Sequence, residues 1–522
     1  MHNTPARPRL ALLAIGAALS MCAPRVAHAQ EEAPAVERFI GSAEQRRLLP
    51  QPVLGADRSL LALHWSAWDV ASAHVGEGSA ENGLVDLYME SGGSDSLSQW
   101  DTCMAMMYAR YGHDVFPAVV SLDNFYRRQE PDGFICGELS AETGQGVLEK
   151  TNPSATQAPL FAWAELEHYR LTGDKGRLTR VLPLLDRYFQ WLKANRRRPN
   201  GLYWGGALGS GAHDRPWAEA PHSRLDLSAQ QALSARCMGE IAREVGDEGL
   251  AGKYEGEFAD LRELINRLCW DAQDAFYYDL DGQGQPRRSK TAAGFWPLLA
   301  GIADKRKAAS LVEHLLNPEE FWQPHLFPTL SAGHAAYDPA GAYWRGGVCP
   351  ATNYAIIKGL QYVGEEDLAA TAAGNHLANM ADVLRRTDHL YEYYAPAMAA
   401  AGSGAGEGPS GGAGCGAIAL LFENVIGLRV DAPTNSIRWR LRRTDRHGAR
   451  NLRFGGNTVS LICDSRTFAE DTCRIALTCA EPFDLTVETT WTKVSKRIKR
   501  GKQVLEIKGK KPPRPAPETV GG

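Results

Sequence analysis

The central part of the chain alternates hydrophobic and polar positions with the period of an α-helix. In 176–196, GRLTRVLPLLDRYFQWLKANR, one helical face collects a set of large apolar residues: Leu178, Val181, Leu182, Leu185, Phe189 and Leu192. Pro183 falls inside this pattern. Because proline is tolerated best in a first helical turn, it predicts a shorter helix that starts there. The same spacing predicts helices within 227–246, 260–270, 351–364 and 376–387.

Long loops rich in glycine and aromatic residues separate these helices. They occupy 129–159, 199–226, 270–297, 321–350 and 389–416. Long loops in a compact domain are usually functional, and pairs of helices that alternate with them predict a closed ring of helical hairpins. If the loops gather at one end of the ring, they form a cleft lined with Trp, Tyr, Asp and Glu.

The pattern changes after Asp431, where apolar and polar residues alternate with a period of two. The segments NSIRWRLRR, NLRFGGNTVSLICD, CRIALTCA and FDLTVETTWTKV are rich in β-branched residues, and KRIKRGKQVLEIKGK adds one more candidate strand. We therefore expect a helical domain over 56–430, an antiparallel β-domain over 431–511 and a disordered tail over 512–522. The basic segment 493–511 is expected to be a solvated terminal strand, with a site for an acidic surface as the alternative.

The first residues have the features of a signal peptide. Arg7 and Arg9 precede the apolar run Leu10–Met21, and the small-x-small triplet Ala27–Ala29 follows. We expect a signal peptide over 1–29, a leader over 30–55, and export to the periplasm or beyond. No later apolar run reaches the length of about 18 residues that spans a bilayer, so no membrane span is predicted.

Composition and charge exclude several classes of function. Apolar residues make up 44% of the chain and charged residues 23%, which is typical of a soluble globular protein. The net charge of -4 moves to about -7 without the signal peptide, so no nucleic-acid partner is predicted. Of ten cysteines none shows the paired short spacing of a zinc site, and no metal is expected. Cys473 and Cys479 are a candidate disulfide pair.

Two polar clusters in the first half of the chain contain candidate site residues. QWDTCMAMMYARYG brings Trp100 and Asp101 to the start of an apolar helix, and RRQEPDGFICGE contains Gln129 and Glu138. Each cluster also has a structural interpretation. Asp101 is a candidate helix N-cap, and the DG dipeptide of the second cluster is a candidate surface turn.

Further clusters follow in the later loops. GLYWGGALGSGAHDRPW, residues 201–217, contains Trp204 and Asp214 on a flexible, polar loop. A carboxylate there is either a helix cap or surface group, or a catalytic acid. The segments YWRGGVCPATNY and HLYEYYAP add the candidates Trp344, Arg345, Glu392 and Tyr394. A carboxyl packed among tyrosines has a raised pKa if it is poorly solvated.

In their order along the chain these segments resemble the trehalase-like glycosidases. The order is WDT, then Q..DGFI..E, GLYW…GSG.HDRP, YWRGG…NY…GL and YEYY.P. The resemblance is closest to glycoside hydrolase family 63 and the mannosylglycerate-hydrolase type, with family 37 trehalases more distant. It extends from about residue 60 to about residue 430, and its most specific parts are the Asp214 loop, YWRGG and YEYY.

The resemblance implies an (α/α)6 barrel and hydrolysis of α-glycosidic bonds with inversion. Asp214 would be the general acid and Glu392 the general base. The subsite for the cleaved sugar would be lined by Trp100, Asp101, Trp344 and Arg345, and we add Gln129, Glu138, Trp204 and Tyr394 as substrate-binding candidates. An inverting enzyme needs two carboxyl groups about 6.5–9.5 Å apart, the acid with a raised pKa and the base with an ordinary one.

The chain departs from the family pattern in two places. The family's YWRGP.W is YWRGGVC here, which puts Gly347 and Cys349 in place of a proline and an aromatic residue. The segment 401–416 is unusually rich in glycine, where relatives commonly have a more structured loop. Both departures lie next to the predicted substrate pocket.

The predicted fold is mainly α, an (α/α)6 barrel followed by a small antiparallel β-domain. The predicted function is exo hydrolysis of oligosaccharides or small glycosides, either α-glucosides or α-mannosides, by an exported enzyme. No cofactor is expected, because two carboxylates and water suffice for this chemistry. The alternatives are a polysaccharide lyase or sugar epimerase on the same barrel, or a non-catalytic carbohydrate-binding protein.

Overall fold

The structure, a computed structural model, describes residues 43–89, 95–206, 223–406 and 412–510. The predicted signal peptide, Asp214 and the predicted tail 512–522 lie outside these residues. The helices are α1 (Ala43–Leu48), α2 (Arg58–Ala73), α3 (Gln99–Ala109), α4 (Asp123–Arg127), α5 (Phe161–Thr172), α6 (Lys175–Asn195), α7 (Leu225–Val245), α8 (Glu248–Leu268), α9 (Trp296–Ala300), α10 (Lys305–Leu315), α11 (Pro350–Tyr362), α12 (Glu366–Thr387) and a π-helix (Cys415–Ile426).

Short strands alternate with the early helices, and longer strands follow the π-helix. They are β1 (Gln51–Leu54), β2 (Val75–Glu77), β3 (Leu87–Met89), β4 (Ser96–Ser98), β5 (Glu138–Ser140), β6 (Trp270–Asp271), β7 (Phe276–Tyr277), β8 (Leu428–Asp431), β9 (Ser436–Arg440), β10 (His447–Phe454), β11 (Asn457–Cys463), β12 (Cys473–Cys479), β13 (Phe483–Glu488), β14 (Lys493–Ile498) and β15 (Gly501–Ile507).

Helices that follow one another in sequence form hairpins with very short turns. Gly173 ends α5 in the left-handed conformation, and the Asp174 side chain then accepts a hydrogen bond from the backbone of Arg177 to cap α6. Gly246 and Asp247 do the same between α7 and α8. Glycine is favoured at a helix end that needs a positive φ, and aspartate at a helix start, so these dipeptides specify the turns.

Buried helices occupy the centre of the helical region. Successive buried helices contact each other in the order α3, α5, α7, α9, α11 and the π-helix. The π-helix in turn contacts α3, which closes a cycle. Helix α7 buries residues on all sides, as expected of a helix surrounded by others, whereas α6 and α8 bury one face. The prediction of a helix-rich domain is confirmed.

Helix α6 corrects one expectation. It runs from Lys175 to Asn195 with Pro183 in its interior, so the predicted start near Pro183 was wrong. The proline removes one backbone donor, but the apolar face still packs along the whole helix, with Leu178, Leu182 and Leu185 buried. Tertiary burial has outweighed the local penalty of proline.

The β-region forms two sheets, which confirms the predicted β-structure after the helices. The five-stranded sheet has the order β1-β10-β11-β12-β15, and the four-stranded sheet β14-β13-β9-β8. Strand β1 comes from the segment that we expected to be a leader, and β13 pairs with β9 in parallel, whereas the other pairs of both sheets are antiparallel. Strands β14 and β15, from the basic segment, are edge strands of their sheets.

The suggested pairing of Cys473 with Cys479 was wrong. These residues begin and end β12, and a seven-residue strand separates its ends by roughly 20 Å, far beyond the reach of a disulfide. All nine cysteines of the described residues are free and buried.

Candidate active site

The described parts of the long loops lead to one end of the buried helices. Connections from a buried helix to the next outer helix are short, as between α5 and α6 or α7 and α8. The return connections are long, and each leads to the first residue of the next buried helix. We call the end where the buried helices begin the loop end, and the opposite end the turn end.

A narrow cavity of about 30 Å³ opens at the loop end. It brings together four residues that the sequence predicted, and its lining is Trp100, Asp101, Tyr343, Trp344, Cys349, Ala351, Thr352, Glu392 and Gly412. These residues come from the first turn of α3, the 3₁₀ turn Tyr343–Arg345, the start of α11 and the loop after α12. Two carboxyl groups and two indole rings therefore share one cavity.

Asp101 lies in the first turn of α3 but does not cap it. The cap is Ser98, whose side chain accepts a hydrogen bond from the Asp101 amide at 3.3 Å, so the cap interpretation of Asp101 was wrong. Burial raises the pKa of the Asp101 carboxyl to about 7, and the negative charges of Glu392 and Glu138 act in the same direction. A hydrogen bond with Ser98 opposes the shift. Asp101 is therefore poised between its neutral and charged forms near neutral pH.

Glu392 reaches the solvent-exposed mouth of the cavity. Desolvation by the surrounding protein raises its pKa, and a hydrogen bond from the Tyr343 hydroxyl opposes the rise. Neither Glu392 nor Asp101 forms an ion pair with any residue that the structure describes. The general base was expected to have an ordinary pKa. The pKa of Glu392 is instead raised, so its carboxylate is less stable than it would be in water.

The backbone around Tyr343 is shaped by two close contacts. Tyr343 has a φ of +45°, a conformation that side-chain-bearing residues rarely adopt. The Gly347 amide donates a hydrogen bond to the Tyr343 carbonyl at 2.7 Å, and a Cβ on Gly347 would lie 2.5 Å from that oxygen. Proline, which the family has here, lacks the amide and would clash. This turn therefore requires glycine at position 347, which accounts for the departure from the family pattern there.

Other predicted residues lie near the cavity or support it without lining it. Tyr394 is fully buried, and its backbone exchanges hydrogen bonds with Val348 at 2.8 and 3.0 Å, which ties the Glu392 segment to the Tyr343 turn. Arg345 is exposed at the end of that turn. Glu138 lies opposite Ser98 in the β4–β5 pair and accepts a hydrogen bond from Ser96 at 2.6 Å.

The two remaining candidates serve neighbouring loops. The Gln129 amide donates to the carbonyls of Gly133 and Leu184, and the DG turn beside it forms as its sequence predicts. Trp204 is covered by the guanidinium groups of Arg196 and Arg198, at 5.9 and 5.1 Å from its ring centre. Asp214, the predicted acid, lies outside the described residues.

Sequence reasoning did not select the other five lining residues, of which Tyr343, Cys349 and Thr352 have polar side chains. Tyr343 is the first letter of the YWRGG motif, so the signal was present. Its contact with Glu392 depends on the geometry of the turn, which the hydrophobic periodicity of the sequence does not reveal. Burial and the charge of Glu392 raise the pKa of the Cys349 thiol.

A larger cavity of about 250 Å³ lies at the turn end and has different chemistry. Its carboxylates Glu167 and Glu423 are held by Arg110, and Lys358 contacts Glu423 at 2.7 Å. Carboxylates held in ion pairs are poor acids and bases, so the narrow cavity is the better candidate site despite its size. Across the described ranges no group of three or more His, Cys, Asp or Glu side chains is arranged to hold a metal ion.

Comparison with known proteins places this chain in a family. The sequence model of the mannosylglycerate hydrolase MGH1-like glycoside hydrolase domain matches residues 95–412, which include Asp101 and Glu392. The chain belongs to this family of glycoside hydrolases. The predicted resemblance is confirmed, and the protein is an enzyme of the glycoside hydrolase class.

Relatives of this glycoside hydrolase include proteins with several substrates. An uncharacterised protein of Borreliella burgdorferi is 29% identical over 74% of this chain and 83% of its own length. Thermus thermophilus mannosylglycerate hydrolase is 31% identical over 26% of this chain and 31% of its own. A periplasmic trehalase of Escherichia coli is 23% identical over 59% of this chain and 60% of its own.

Solved structures support the fold of the glycoside hydrolase. Family 63 mannosylglycerate hydrolase from Thermus thermophilus, in complex with glucose, matches 69% of this chain and 99% of its own with a TM-score of 0.56 and 21% identity. Neutral trehalase Nth1 from Saccharomyces cerevisiae matches 69% of this chain and 80% of its own with a TM-score of 0.51 and 14% identity. Within the described residues, no helix combines the length and the apolar character needed to cross a membrane.

Proposed function

We propose that this glycoside hydrolase cleaves α-glycosidic bonds with inversion, using Glu392 as the general base and Asp214 as the general acid. The observation that carries the proposal is the pair of carboxyl groups, Asp101 and Glu392, that meet two tryptophans at the loop end. The closed cycle of buried helices is consistent with the inner layer of an (α/α)6 barrel, in which such a cavity lies at the axis.

The roles follow from the environment of each group. Glu392 is at the cavity mouth, where a water molecule can reach it, and Tyr343 favours its charged form. A general base must be ionised, so the Tyr343 hydrogen bond acts in the required direction. Asp101 sits deeper and, with a pKa of about 7, can offer a proton to a sugar hydroxyl. Trp100 and Trp344 supply apolar walls for a sugar ring.

The acid must come from a separate part of the chain. Family resemblance assigns it to Asp214 in the GSGAHDRP loop. That loop leaves the described residues after Gly206, close to Trp204, and the chain re-enters them at Ser223 at the start of α7. Helix α7 begins at the loop end, so the described residues that follow this segment lie at the same end as Glu392. The proposed roles require the two carboxyl groups to face each other across a substrate.

The proposed substrates are small α-mannosides or α-glucosides cleaved from one end of the molecule. The relatives are named for mannosylglycerate, trehalose and mannosyl-oligosaccharides, which share an α-linked hexose at a chain end. A narrow cavity, unlike an open groove, favours action on one end of a molecule, and at about 30 Å³ this cavity must widen to admit a sugar ring. We further propose export, since the first 29 residues have the features of a signal peptide.

The test is hydrolysis by the mature protein of a panel of α-linked disaccharides and glycosyl-glycerates. Release of the free hexose is followed by proton NMR for the wild type, Asp214→Asn, Glu392→Gln and Glu313→Gln. Glu313 is an exposed residue of α10 and serves as the matched control. We expect hydrolysis of at least one substrate, lost in both site variants and retained in the control.

Other outcomes contradict the proposal in distinguishable ways. An unsaturated product that absorbs in the near ultraviolet identifies a lyase. A changed sugar with no new reducing end identifies an epimerase. Binding of the panel sugars without turnover identifies a carbohydrate-binding protein. Equal hydrolysis by wild type and both site variants shows that other residues carry the reaction.

A further inference from the structure

Two buried cysteines of the five-stranded sheet lie side by side. Cys463 is the last residue of β11 and pairs with Ile475 of β12. Cys473 is the first residue of β12, two positions before Ile475, so its side chain points to the same face as that of Cys463. Both residues are 0% exposed, and the two sulfurs are near neighbours on that face.

Arg466 holds this pair in place. Its guanidinium contacts the Cys463 sulfur at 3.3 Å and donates to the Arg443 carbonyl at 2.8 Å. Its backbone amide donates to the Thr444 carbonyl at 2.7 Å. The turn between the two cysteines is therefore anchored on a neighbouring segment, which keeps the thiols together.

We propose that Cys463 and Cys473 are a modification site at which an intramolecular disulfide forms under oxidising conditions. The bond closes the turn 464–472 and links the end of β11 to the start of β12. It is independent of the proposed glycosidase activity, since it lies in the β-region. Both cysteines are free in the structure, so the bond requires the sulfurs to approach to about 2.05 Å, and diagonal neighbours on two strands need a movement of the strand ends to do so.

The chemistry is thiol–disulfide exchange with a small disulfide such as oxidised glutathione. The Cys473 thiolate attacks one glutathione sulfur, forms a mixed disulfide and releases one glutathione thiolate. The Cys463 sulfur, as its proton leaves to solvent, attacks the Cys473 sulfur and releases the second glutathione. The neighbouring Cys463 thiol and the Arg466 guanidinium lower the pKa of the Cys473 thiol, against the effect of its burial. Cys473 is therefore assigned the first attack.

Cys479 of the same strand lacks this arrangement, because its partners across the sheet are Val459 and Gly501. Cys479 is a useful control because it lies at the other end of the same strand. A reaction driven by general oxidation would not distinguish it from Cys473.

The test is peptide mapping after oxidation. The purified protein, both native and refolded from denaturant, is incubated with oxidised and reduced glutathione, alkylated without reduction, digested and analysed by mass spectrometry. We expect one linked peptide pair containing Cys463 and Cys473 in at least one sample, at a mass two hydrogens below that of the reduced peptides. The linked pair is expected to persist in Cys479→Ala and to be absent in Cys463→Ala and Cys473→Ala.

A second readout follows thermal unfolding. The oxidised wild type should unfold at a higher temperature than the reduced wild type, and the Cys463→Ala, Cys473→Ala double variant should show no dependence on glutathione. Alkylation of both cysteines in both wild-type samples, or a link from either cysteine to a different one, would overturn the proposal.

Discussion

The two ends of the buried helices carry opposite kinds of carboxyl group. At the loop end, Asp101 and Glu392 have raised pKa values and form no ion pair with the residues described by the structure. At the turn end, burial alone would raise the pKa values of Glu167 and Glu423, yet both are lowered, because Arg110 and other cations contact them. The same buried helices carry both kinds of carboxyl group, one kind at each end.

The ion-paired carboxylates contribute to stability, whereas the carboxyl groups without a cation are suited to proton transfer. A buried carboxylate that is paired with arginine or lysine stabilises the charged form and ties helices together, while giving up its capacity to exchange protons. A carboxyl without a cation is costly to ionise, and that cost is what makes it reactive. The turn end also packs against the β-region, as the Ala432 amide donates to the Arg170 carbonyl at 2.7 Å.

The largest expected effect is that of Glu392→Gln on turnover. Removing a general base lowers kcat by about 10²- to 10⁴-fold. The free energy of unfolding should stay within about 0.5 kcal/mol of the wild type, or rise, because no ion pair is lost. Steady-state kinetics and urea unfolding of Glu392→Gln and the Glu313→Gln control check this. If Glu392→Gln also lowered the free energy of unfolding well below that of the wild type, the difference between the two ends would be contradicted.

The reverse effect is expected at the turn end. Glu423→Gln leaves Arg110 and Lys358 without one of their partners and should lower the free energy of unfolding by about 3 kcal/mol, with kcat per folded molecule retained. Because the pKa of Glu423 is lowered in the folded state, this difference should be full above the ordinary glutamate pKa of about 4.3. It should be lost as the pH falls below that value. Urea unfolding at several pH values measures it, and equal stability of variant and wild type would contradict it.

Asp101→Asn should change stability in the opposite sense. The folded-state pKa of about 7 exceeds the unfolded value of about 3.9, so the wild type loses stability as the pH rises between these values. Asparagine has no such dependence. Relative to wild type, the variant should gain about 3 kcal/mol between about pH 4 and pH 7. A difference in unfolding free energy that stayed constant with pH would show that Asp101 is ionised in the folded protein.

The smallest expected effect is that of Tyr343→Phe. Loss of the hydroxyl removes the hydrogen bond that favours the Glu392 carboxylate, so the Glu392 pKa rises further. The acidic limb of the kcat/KM profile should move up by less than about one pH unit, with a few-fold loss at low pH and little at high pH. Tyr393→Phe is the control, since the Tyr393 hydroxyl donates to the Ser403 carbonyl at 3.2 Å. An equal loss at every pH in Tyr343→Phe would indicate a packing role instead.

Most of the helices could be predicted from the sequence, because their apolar positions repeat with helical spacing. The Gly-Asp dipeptides at 173–174 and 246–247 also specify the hairpin turns through local chemistry. Pro183 misled the prediction because its local penalty is smaller than the packing of the whole α6 face. Strand β1 was missed because four residues carry little periodicity, and their partner, β10, is almost 400 residues away in sequence.

The candidate site could be predicted only as a set of motifs. WDT, YWRGG and YEYY predicted that Trp100, Asp101, Trp344 and Glu392 are functional residues, and the structure brings these four to one cavity. The raised pKa of Glu392 was anticipated from its place among tyrosines, whereas that of Asp101 could not be predicted, because it depends on how far loops distant in sequence bury this carboxyl. The contact between Tyr343 and Glu392 could not be predicted either, because it depends on the geometry of the Tyr343 turn.

The most direct measurement of the central claim is the anomeric configuration of the first product. Proton NMR during early hydrolysis of an α-linked substrate separates the α- and β-anomers before they equilibrate. A base at Glu392 that activates water on the face opposite the leaving group predicts that the β-anomer is released first, and that this signal is lost in Glu392→Gln. The α-anomer appearing first would contradict the inverting mechanism and the role of Glu392 as its base.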